Sequence, residues 1–289
     1  MIQIISHTHW DREWFVPAGF ARTWLVPFFD SLFKLLEKEE EYRFVLDGQS
    51  ILLEDYILQL SPTDRERTAK RIARFAGEGR LILGPYYQQP DWQLVSGEAL
   101  VRNLLIGSAD AASLAGEHRS RVGWLMDNFG QIGQTVQIHR EFDLQGIYAW
   151  RGFDLLPQDL SDTFLWEGHD GSSLQVVYLL DSYRNGMRFF AAPEFTERRL
   201  QAAAERVAPF SDDGELLLMN GYDQEMEPEN IPGELKRLPE EWRRELKISD
   251  PEAYLRSKAR AATTLRGAQR SGRFISVFPG ILSARNYLK

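Results

Sequence analysis

The chain has 289 residues, 43% of them hydrophobic, enough to bury a core the size of one barrel domain or two smaller ones. A formal charge of -8 argues against nucleic acid or an anionic membrane as partner, because binding phosphate takes a net basic surface or a dense basic patch, and the basic residues here are scattered. Cysteine is absent, which excludes disulfides and thiolate ligands, so any metal must be held by histidine, carboxylate and water.

Short β-rich apolar runs alternate with longer amphipathic stretches, the pattern of βα units around a parallel sheet. Strands are expected at Ile2 to Ile5, Tyr42 to Leu46, Leu81 to Leu83, Val122 to Met126, Gly146 to Ala149, Leu174 to Leu179 and Leu216 to Met219. Helices are expected at Phe20 to Glu40, Ile51 to Leu60, Asp64 to Glu78, Glu98 to Leu114, Gly133 to Phe142, Glu194 to Pro209 and Glu252 to Gly267. Thr163 to Trp166 and Leu174 to Leu179, separated by the turn-forming Gly168 to Ser172, can instead pair as a hairpin. The charged, proline-bearing segment Glu225 to Glu245 reads as a solvated loop and surface helix. Met1 to Asp11 carries no basic segment, long apolar stretch or small-residue cleavage site, and no run approaches a membrane span, so a cytoplasmic location is expected.

Polar residues gather behind the strands. The first strand is followed by His7, His9 and Asp11, the second by Asp47-Gly48-Gln49, and the third by Gly84 to Trp92. Asp127-Asn128-Phe129-Gly130, Trp150-Arg151-Gly152 and Asn220-Gly221-Tyr222-Asp223-Gln224 follow later ones. Functional groups collect at the C-terminal ends of the strands in parallel barrels, so these exits point to one shared cleft. An isolated histidine would most simply cap a helix. Two histidines and an aspartate at alternate positions after a strand instead suit a borderline divalent ion, and the interleaved Trp10 and Trp14 suit a sugar ring. Asp127 and Asp223 could each cap a following helix. Facing each other across a pocket, they are the pair that glycosidic cleavage needs, one as nucleophile or base and one as proton donor.

These residues also carry a family resemblance. His9-Trp10-Asp11-Arg12-Glu13-Trp14, Asp127-Asn128-Phe129-Gly130 and Asn220 to Gln224 resemble, in order, the motifs of the glycoside hydrolase family 38 α-mannosidases. Gln89-Pro90-Asp91, Leu94 to Leu104 and the C-terminal Gly280 to Lys289 resemble the bacterial members in particular. The resemblance implies a zinc-dependent retaining α-mannosidase built as a seven-stranded parallel β/α barrel, with residues 1–289 as a single catalytic domain. The helical and β-rich domains that usually follow in the family are not in this sequence. By position, His9 and Asp11 match zinc ligands, and Asp127 matches the nucleophile that also touches zinc. Asp223 matches the general acid/base, beside Tyr222 where the family often has a second acid. Trp14 and Phe129 match sugar-contacting aromatics, and Arg151 matches an arginine near the nucleophile. Zinc in such a site binds mannose hydroxyls rather than activating water, unlike the metal-hydroxide pattern.

The family's later zinc-binding histidine has no counterpart in Ile275-Ser276-Val277-Phe278-Pro279, and no histidine lies beyond His169. The fourth ligand is therefore water, His7 or a residue outside this sequence, with His7 expected to support a ligand rather than bind the metal itself. His118, His139 and His169 are read as structural. The expected substrate is a terminal α-mannoside or small mannose-containing glycan. Tyr86-Tyr87-Gln88-Gln89 is compatible with a mannosyl disaccharide, a mannosylglycerate or a glycan branch, and a homo-oligomer is left open. Two other readings compete: a metal-dependent carbohydrate deacetylase, which would want a further histidine pair at helical spacing, and a catalytically incomplete carbohydrate-binding fragment.

Overall fold

The computed structural model describes residues 1–155, 159–273 and 275–278, so the resemblance carried by Gly280 to Lys289 lies outside the described residues. Ten strands occur among the described residues: β1 (Ile2–Ser6), β2 (Phe44–Val45), β3 (Leu81–Ile82), β4 (Val122–Leu125), β5 (Gly146–Ala149), β6 (Thr163–Glu167), β7 (Ser173–Tyr178), β8 (Leu216–Asn220), β9 (Leu246–Ile248) and β10 (Thr264–Arg266). They form three sheets, ordered β8-β1-β9, β2-β3 and β10-β6-β7-β5-β4. Every pairing is parallel except the β6–β7 hairpin, whose turn is closed by Gly168 N–H donating to Ser172 O at 2.9 Å. This is an α/β fold with parallel sheets.

β1 to β5 and β8 are buried on both faces, as parallel strands flanked by helices must be, whereas β6, β7, β9 and β10 are partly exposed. Ile2 and Ile4 of β1 and Leu216 and Leu218 of β8 join one apolar cluster, together with Phe28, Phe29 and Phe33 of the helix Leu25–Lys38. Ile5 of β1 and Leu217 and Met219 of β8 join a second cluster, with Val45, Ile82, Trp124 and Ile147. Alternate residues of one strand thus serve two cores, the direct result of the two-residue period of a strand. Each Leu or Phe so buried contributes about 1.5–3 kcal/mol.

The helices begin where the sequence supplies caps. Ser61 accepts from Asp64 N–H at 3.2 Å ahead of Pro62–Gly77, and Ser96 accepts from Ala99 N–H at 3.2 Å ahead of Gly97–Ala115. Gly107, in the second of these, is required by packing. A Cβ there would lie 1.9 Å from the Tyr86 carbonyl carbon, so this helix rests directly on the backbone of the loop after β3.

The short sheets are stitched at their edges. His7 bridges to Val45, Ser120 N–H donates to Leu83 O at 2.9 Å, and the side chain of Asn185, in the loop after β7, is bonded to β8. Asn185 Nδ2 donates to Leu217 O at 3.0 Å while its Oδ1 accepts from Met219 N–H at 2.7 Å.

Two expectations are corrected. The helix foreseen over Glu252 to Gly267 occupies only Pro251–Ser257, and the chain then runs extended into β10. The cause is Lys258, whose ammonium is buried against Asp162 Oδ2 at 2.8 Å, Ser211 Oγ at 3.1 Å, Glu215 O at 3.1 Å and Asp213. A paired buried charge outweighs helix propensity here. The segment from Glu225 is also less exposed than expected. Glu225, Ile231 and Pro232 are buried, and two short helices, Ile231–Leu235 and Glu240–Glu245, lead into the unforeseen β9. No helix among the described residues is long and apolar enough to cross a membrane.

Candidate active site

Beyond β1 the backbone keeps pairing with the exit of β8: His9 N–H donates to Tyr222 O at 3.1 Å and Gln224 N–H donates to His9 O at 2.7 Å. His9 and Asp223 are consequently partners in a parallel bridge. The His9 ring is buried, with Nδ1 3.3 Å from Asp47 Oδ1 and Nε2 3.7 Å from Asp11 Oδ1. Asp47 has no exposed surface, and it accepts from Trp10 N–H at 2.7 Å, Gln49 Nε2 at 2.7 Å and Gln89 Nε2 at 2.9 Å. Burial alone would disfavour a charged His9, yet Asp47, Asp11 and Asp127 hold its pKa well above the ordinary value. Burial raises the Asp11 pKa; His9 opposes this, and Asp127, Asp223 and Asp47 reinforce it. One imidazole therefore stands among four carboxylates drawn from four strand exits.

Asp127 sits on the turn after β4. Arg151 Nε donates to Asp127 Oδ1 at 2.5 Å, and its guanidinium also reaches the Ser276 carbonyl and lies 4.0 Å from the Trp150 ring centroid. The Phe129 ring lies 5.3 Å from the same guanidinium. The turn is clasped by the loop after β3, through Asn128 Nδ2 to Pro90 O at 2.5 Å and Gln93 Nε2 to Phe129 O at 3.0 Å. Gly130, at φ 102°, makes that clasp possible, since a Cβ would fall 2.2 Å from Gln93 Nε2. Asp91 lies beside this turn with a raised pKa, first from burial and then from the charge of Asp127, against the N–H groups of Gln93 and Phe129.

On the other side, Asp223 Oδ1 accepts from Tyr183 Oη at 2.7 Å and Oδ2 lies 3.5 Å from Arg184 Nη1. The Tyr183 ring stands edge-on to His9 at 5.4 Å and to Trp150 at 4.9 Å, so it joins the two halves of the site. His7 faces away from this cleft. Its Nε2 meets Tyr183 O at 2.8 Å and its Nδ1 meets Thr8 O at 3.1 Å, and burial lowers its pKa.

The structure therefore brings His9, Asp11, Asp127, Phe129, Arg151 and Asp223 into one neighbourhood. Trp14 stands apart: it is 52% exposed, with its ring packed edge-on to Phe15 at 5.0 Å. A cavity of about 210 Å³ opens beside the site, lined by His9, Trp10, Asp11, Arg12, Gln49 and Gln89 among others. A larger one of about 370 Å³, lined by Arg43, Arg121 and Gln145 among others, lies at the opposite, N-terminal ends of the strands and includes none of these groups. His139 has a structural place. Its Nδ1 bonds Thr135 O at 2.6 Å, so its Nε2 is left to accept from Tyr86 Oη at 2.6 Å, and burial lowers its pKa to about 4. His118 lies at the far cavity and His169 packs near Gly133 and Gly267.

Sequence reasoning missed the roles of Asp47, Tyr183 and Arg184. Asp47 takes a left-handed φ of 47° ahead of Gly48, and an Asp-Gly pair behind a strand was the available signal. Tyr183 and Arg184 follow β7, the one of the seven expected strands whose exit was not read for chemistry. Among the described residues no group of three His, Asp or Glu side chains is spaced to hold a metal ion. The donor chemistry nonetheless fits one. His9 is oriented through Nδ1 by a buried carboxylate, and its Nε2 is turned toward a second carboxylate, the usual setting of a metal-ligating histidine.

Residues 1–275 match the glycosyl hydrolases family 38 N-terminal domain. The chain is 34% identical over 248 residues to a putative mannosylglycerate hydrolase of Halalkalibacterium halodurans, covering 81% of this chain and 27% of that protein. It is 28% identical over 177 residues to an alpha-mannosidase of Saccharomyces cerevisiae, covering 59% of this chain and 15% of that one. Among solved structures, an alpha-mannosidase from Enterococcus faecalis superposes with a TM-score of 0.84 at 27% identity, over 93% of this chain and 31% of that chain. The chain thus spans less than a third of the length of each of these relatives.

Proposed function

The chain belongs to glycosyl hydrolase family 38, and from that premise we propose that it carries the catalytic site of a retaining α-mannosidase acting on terminal α-mannosides. The observation that carries this reading is the opposition of two differently held carboxylates around His9: Asp127, clamped by Arg151, and Asp223, held by Tyr183 and Arg184. Asp127 is the nucleophile. Arg151 fixes its Oδ1 at 2.5 Å and leaves the second oxygen to attack the anomeric carbon. Asp223 gives its proton to the leaving oxygen and, in the second step, takes one from the water that releases the sugar. Retention requires the two carboxyl groups to approach about 5 to 5.5 Å in the substrate complex.

His9, Asp11 and Asp127 would hold a divalent ion, zinc by their chemistry, which when bound would place positive charge at the sugar hydroxyls. Asp47 orients His9 for that task, and Phe129 and Arg151 shape the wall against which the ring stands. Trp14 is assigned to the sugar by motif position, in a bound state that brings it to the cleft. We further read β1, β2, β3, β4, β5, β7 and β8 as the seven strands of one closed barrel in a single catalytic domain. The edge contacts His7–Val45, Ser120–Leu83 and the Asn185 bridge support that closure.

Mannose is the element common to the relatives' names, one for mannosylglycerate and the others for mannosides generally. The test is turnover of an aryl α-mannoside, before and after chelation and after zinc is returned. Activity that chelator removes and zinc restores, and that Asp127→Asn abolishes while a fluorinated mannosyl donor labels Asp127, is the expected result. Turnover indifferent to Asp127→Asn would overturn it.

A further inference from the structure

Past β10 the chain crosses the exits of β4 and β5 and comes to rest against the arginine that holds Asp127. Gln131 and Gln269 exchange backbone hydrogen bonds of 2.7 and 3.0 Å, and Ser271 N–H donates to Gly152 O at 2.8 Å. The crossing is close. At Gly152, with φ 100°, an added Cβ would fall 2.6 Å from Gln269 O, so only glycine leaves room for this strap. Further along, Ser276 makes two contacts: its carbonyl accepts from Arg151 Nη1, and its Oγ accepts from Phe278 N–H at 3.2 Å. The Phe278 ring centroid lies 5.1 Å from the Arg151 guanidinium carbon, and the ring stands edge-on to Phe129 at 6.4 Å.

Arg151 is buried, and among the described residues Asp127 is the one carboxylate within ion-pair distance of it. A single bond from Nε to Asp127 leaves the guanidinium free to tilt, and the nucleophile would tilt with it. Trp150 is the chain neighbour of Arg151, and Phe129 belongs to the Asp127 turn, so both move with the groups they touch. The strap is different, because it brings the Ser276 carbonyl and the Phe278 ring from outside those two strand exits. Phe278 also holds a left-handed φ of 42°, which a bulky side chain keeps only where its surroundings over-determine it, and such residues cluster at functional sites. From this geometry we infer that Phe278 is a positioning residue: its ring, set on the guanidinium, fixes Arg151 and through it the attack geometry of Asp127. This rests on the mannosidase assignment and deepens it. A guanidinium within 6 Å of a ring centroid is attracted by the ring, and small displacements of a reacting group are costly in rate. Phe278 therefore acts on the step in which Asp127 bonds the anomeric carbon, without itself meeting the sugar.

The test compares Phe278→Leu, Phe278→Ala and Phe278→Tyr in the full chain. Phe278 is 47% exposed, so none of these changes opens a core cavity. Loss of the ring in the Leu and Ala variants should lower kcat on an aryl α-mannoside about three- to thirtyfold, the worth of one cation–π contact, with KM little changed. Labelling of Asp127 by a fluorinated mannosyl donor should slow by the same factor, and Phe278→Tyr should restore both rates. An unchanged kcat, a loss confined to KM, or an equal loss in Phe278→Tyr overturns the inference. A second readout needs no turnover. The Arg151 Nε–H proton, bonded to Asp127, should exchange slowly with solvent by NMR, its signal identified by its absence from Arg151→Lys. Exchange should quicken about three- to thirtyfold in Phe278→Leu. An exchange rate equal to that of the wild type refutes the inference whatever the kinetics show. If no mannoside is hydrolysed, the mannosidase assignment fails separately, and the exchange rate alone decides whether Phe278 fixes Arg151.

Discussion

His9 Nδ1 lies 3.3 Å from Oδ1 of Asp47, a carboxylate 38 positions further along the chain that has no exposed surface of its own. Three further donors, from Trp10, Gln49 and Gln89, hold Asp47 in place, so the imidazole plane is set by a group that never meets substrate. Asp47→Asn keeps the shape and removes the charge. Zinc affinity is expected to fall by about 10- to 100-fold, the usual cost of losing such a partner. Competition against a chromophoric chelator measures it, and an unchanged affinity removes Asp47 from the metal site.

Asp223→Ala should slow mannosides with poor leaving groups far more than activated aryl mannosides, whose departure needs little protonation. Azide should restore turnover of the aryl substrate by replacing water in the second step. Equal losses on both substrate classes, without rescue, would transfer the acid role to Asp91, which lies beside the Asp127 turn.

Tyr183→Phe tests the support behind that acid. The variant removes the 2.7 Å bond to Asp223 but keeps the ring that stands against His9 and Trp150. A decrease in kcat of about tenfold, concentrated on poor leaving groups and with little change in KM, is the expected pattern. A loss confined to KM would make Tyr183 a sugar-binding residue instead.

Two buried groups give the fold opposite responses to pH. His139 has its pKa lowered by burial from 6.5 to about 4, so the unfolded chain takes up its proton first as pH falls. The stability linked to it is present above 6.5 and is lost on descending toward 4, by an amount of about 3 kcal/mol. Thermal unfolding between these limits should be less pH-dependent in His139→Gln than in the wild type, even with a lower Tm throughout. A slope identical in both proteins would show that the ring titrates normally.

Glu225 moves the other way. Burial, and then the neighbouring charge of Glu229, push its pKa from 4.5 to about 8, against the opposing pull of Arg188. Its contribution is full below 4.5 and is lost as pH rises through 8, because the unfolded chain gives up the proton earlier. Glu225→Gln should therefore raise Tm at alkaline pH, by about 2–4 °C for each kcal/mol recovered, and have little effect near pH 4. Destabilisation at pH 8 would mean that the carboxylate is a needed anion.

Much of the site was legible because its members follow apolar strands. His9, Asp11, Asp127, Arg151 and Asp223 all stand just past a local signal, and the parallel fold gathers such positions at one end. Asp47 and Tyr183 were not legible as partners, since each acts on a residue about forty positions away and nothing local names that residue. Trp14 shows the converse. Its motif position marks it for the sugar, but its surroundings are solvent and Phe15. For the fold, short continuous apolar runs located the central strands, whereas β9 and β10 are three-residue segments too short to carry a pattern. The overlong helix after Glu252 reflects an alanine-bearing polar run that reads as helical until the buried ammonium of Lys258 is known.

The Asn185 amide ties the loop after β7 to the edge of β8, and this has a consequence for which lengths of chain the protein tolerates. A loop tip normally accepts extra residues because its backbone is free. Leu180 to Arg184 is not such a loop, because its far end is fixed to Leu217 and Met219 through one side chain that reaches both only in one register. A residue inserted there would pull Asn185 off the β8 edge, or would shift Tyr183 and Arg184 away from Asp223. The Gly168 to Ser172 turn, at the other end of β7, has exposed residues and a closed hydrogen-bonded tip, and it can be lengthened without touching the cleft.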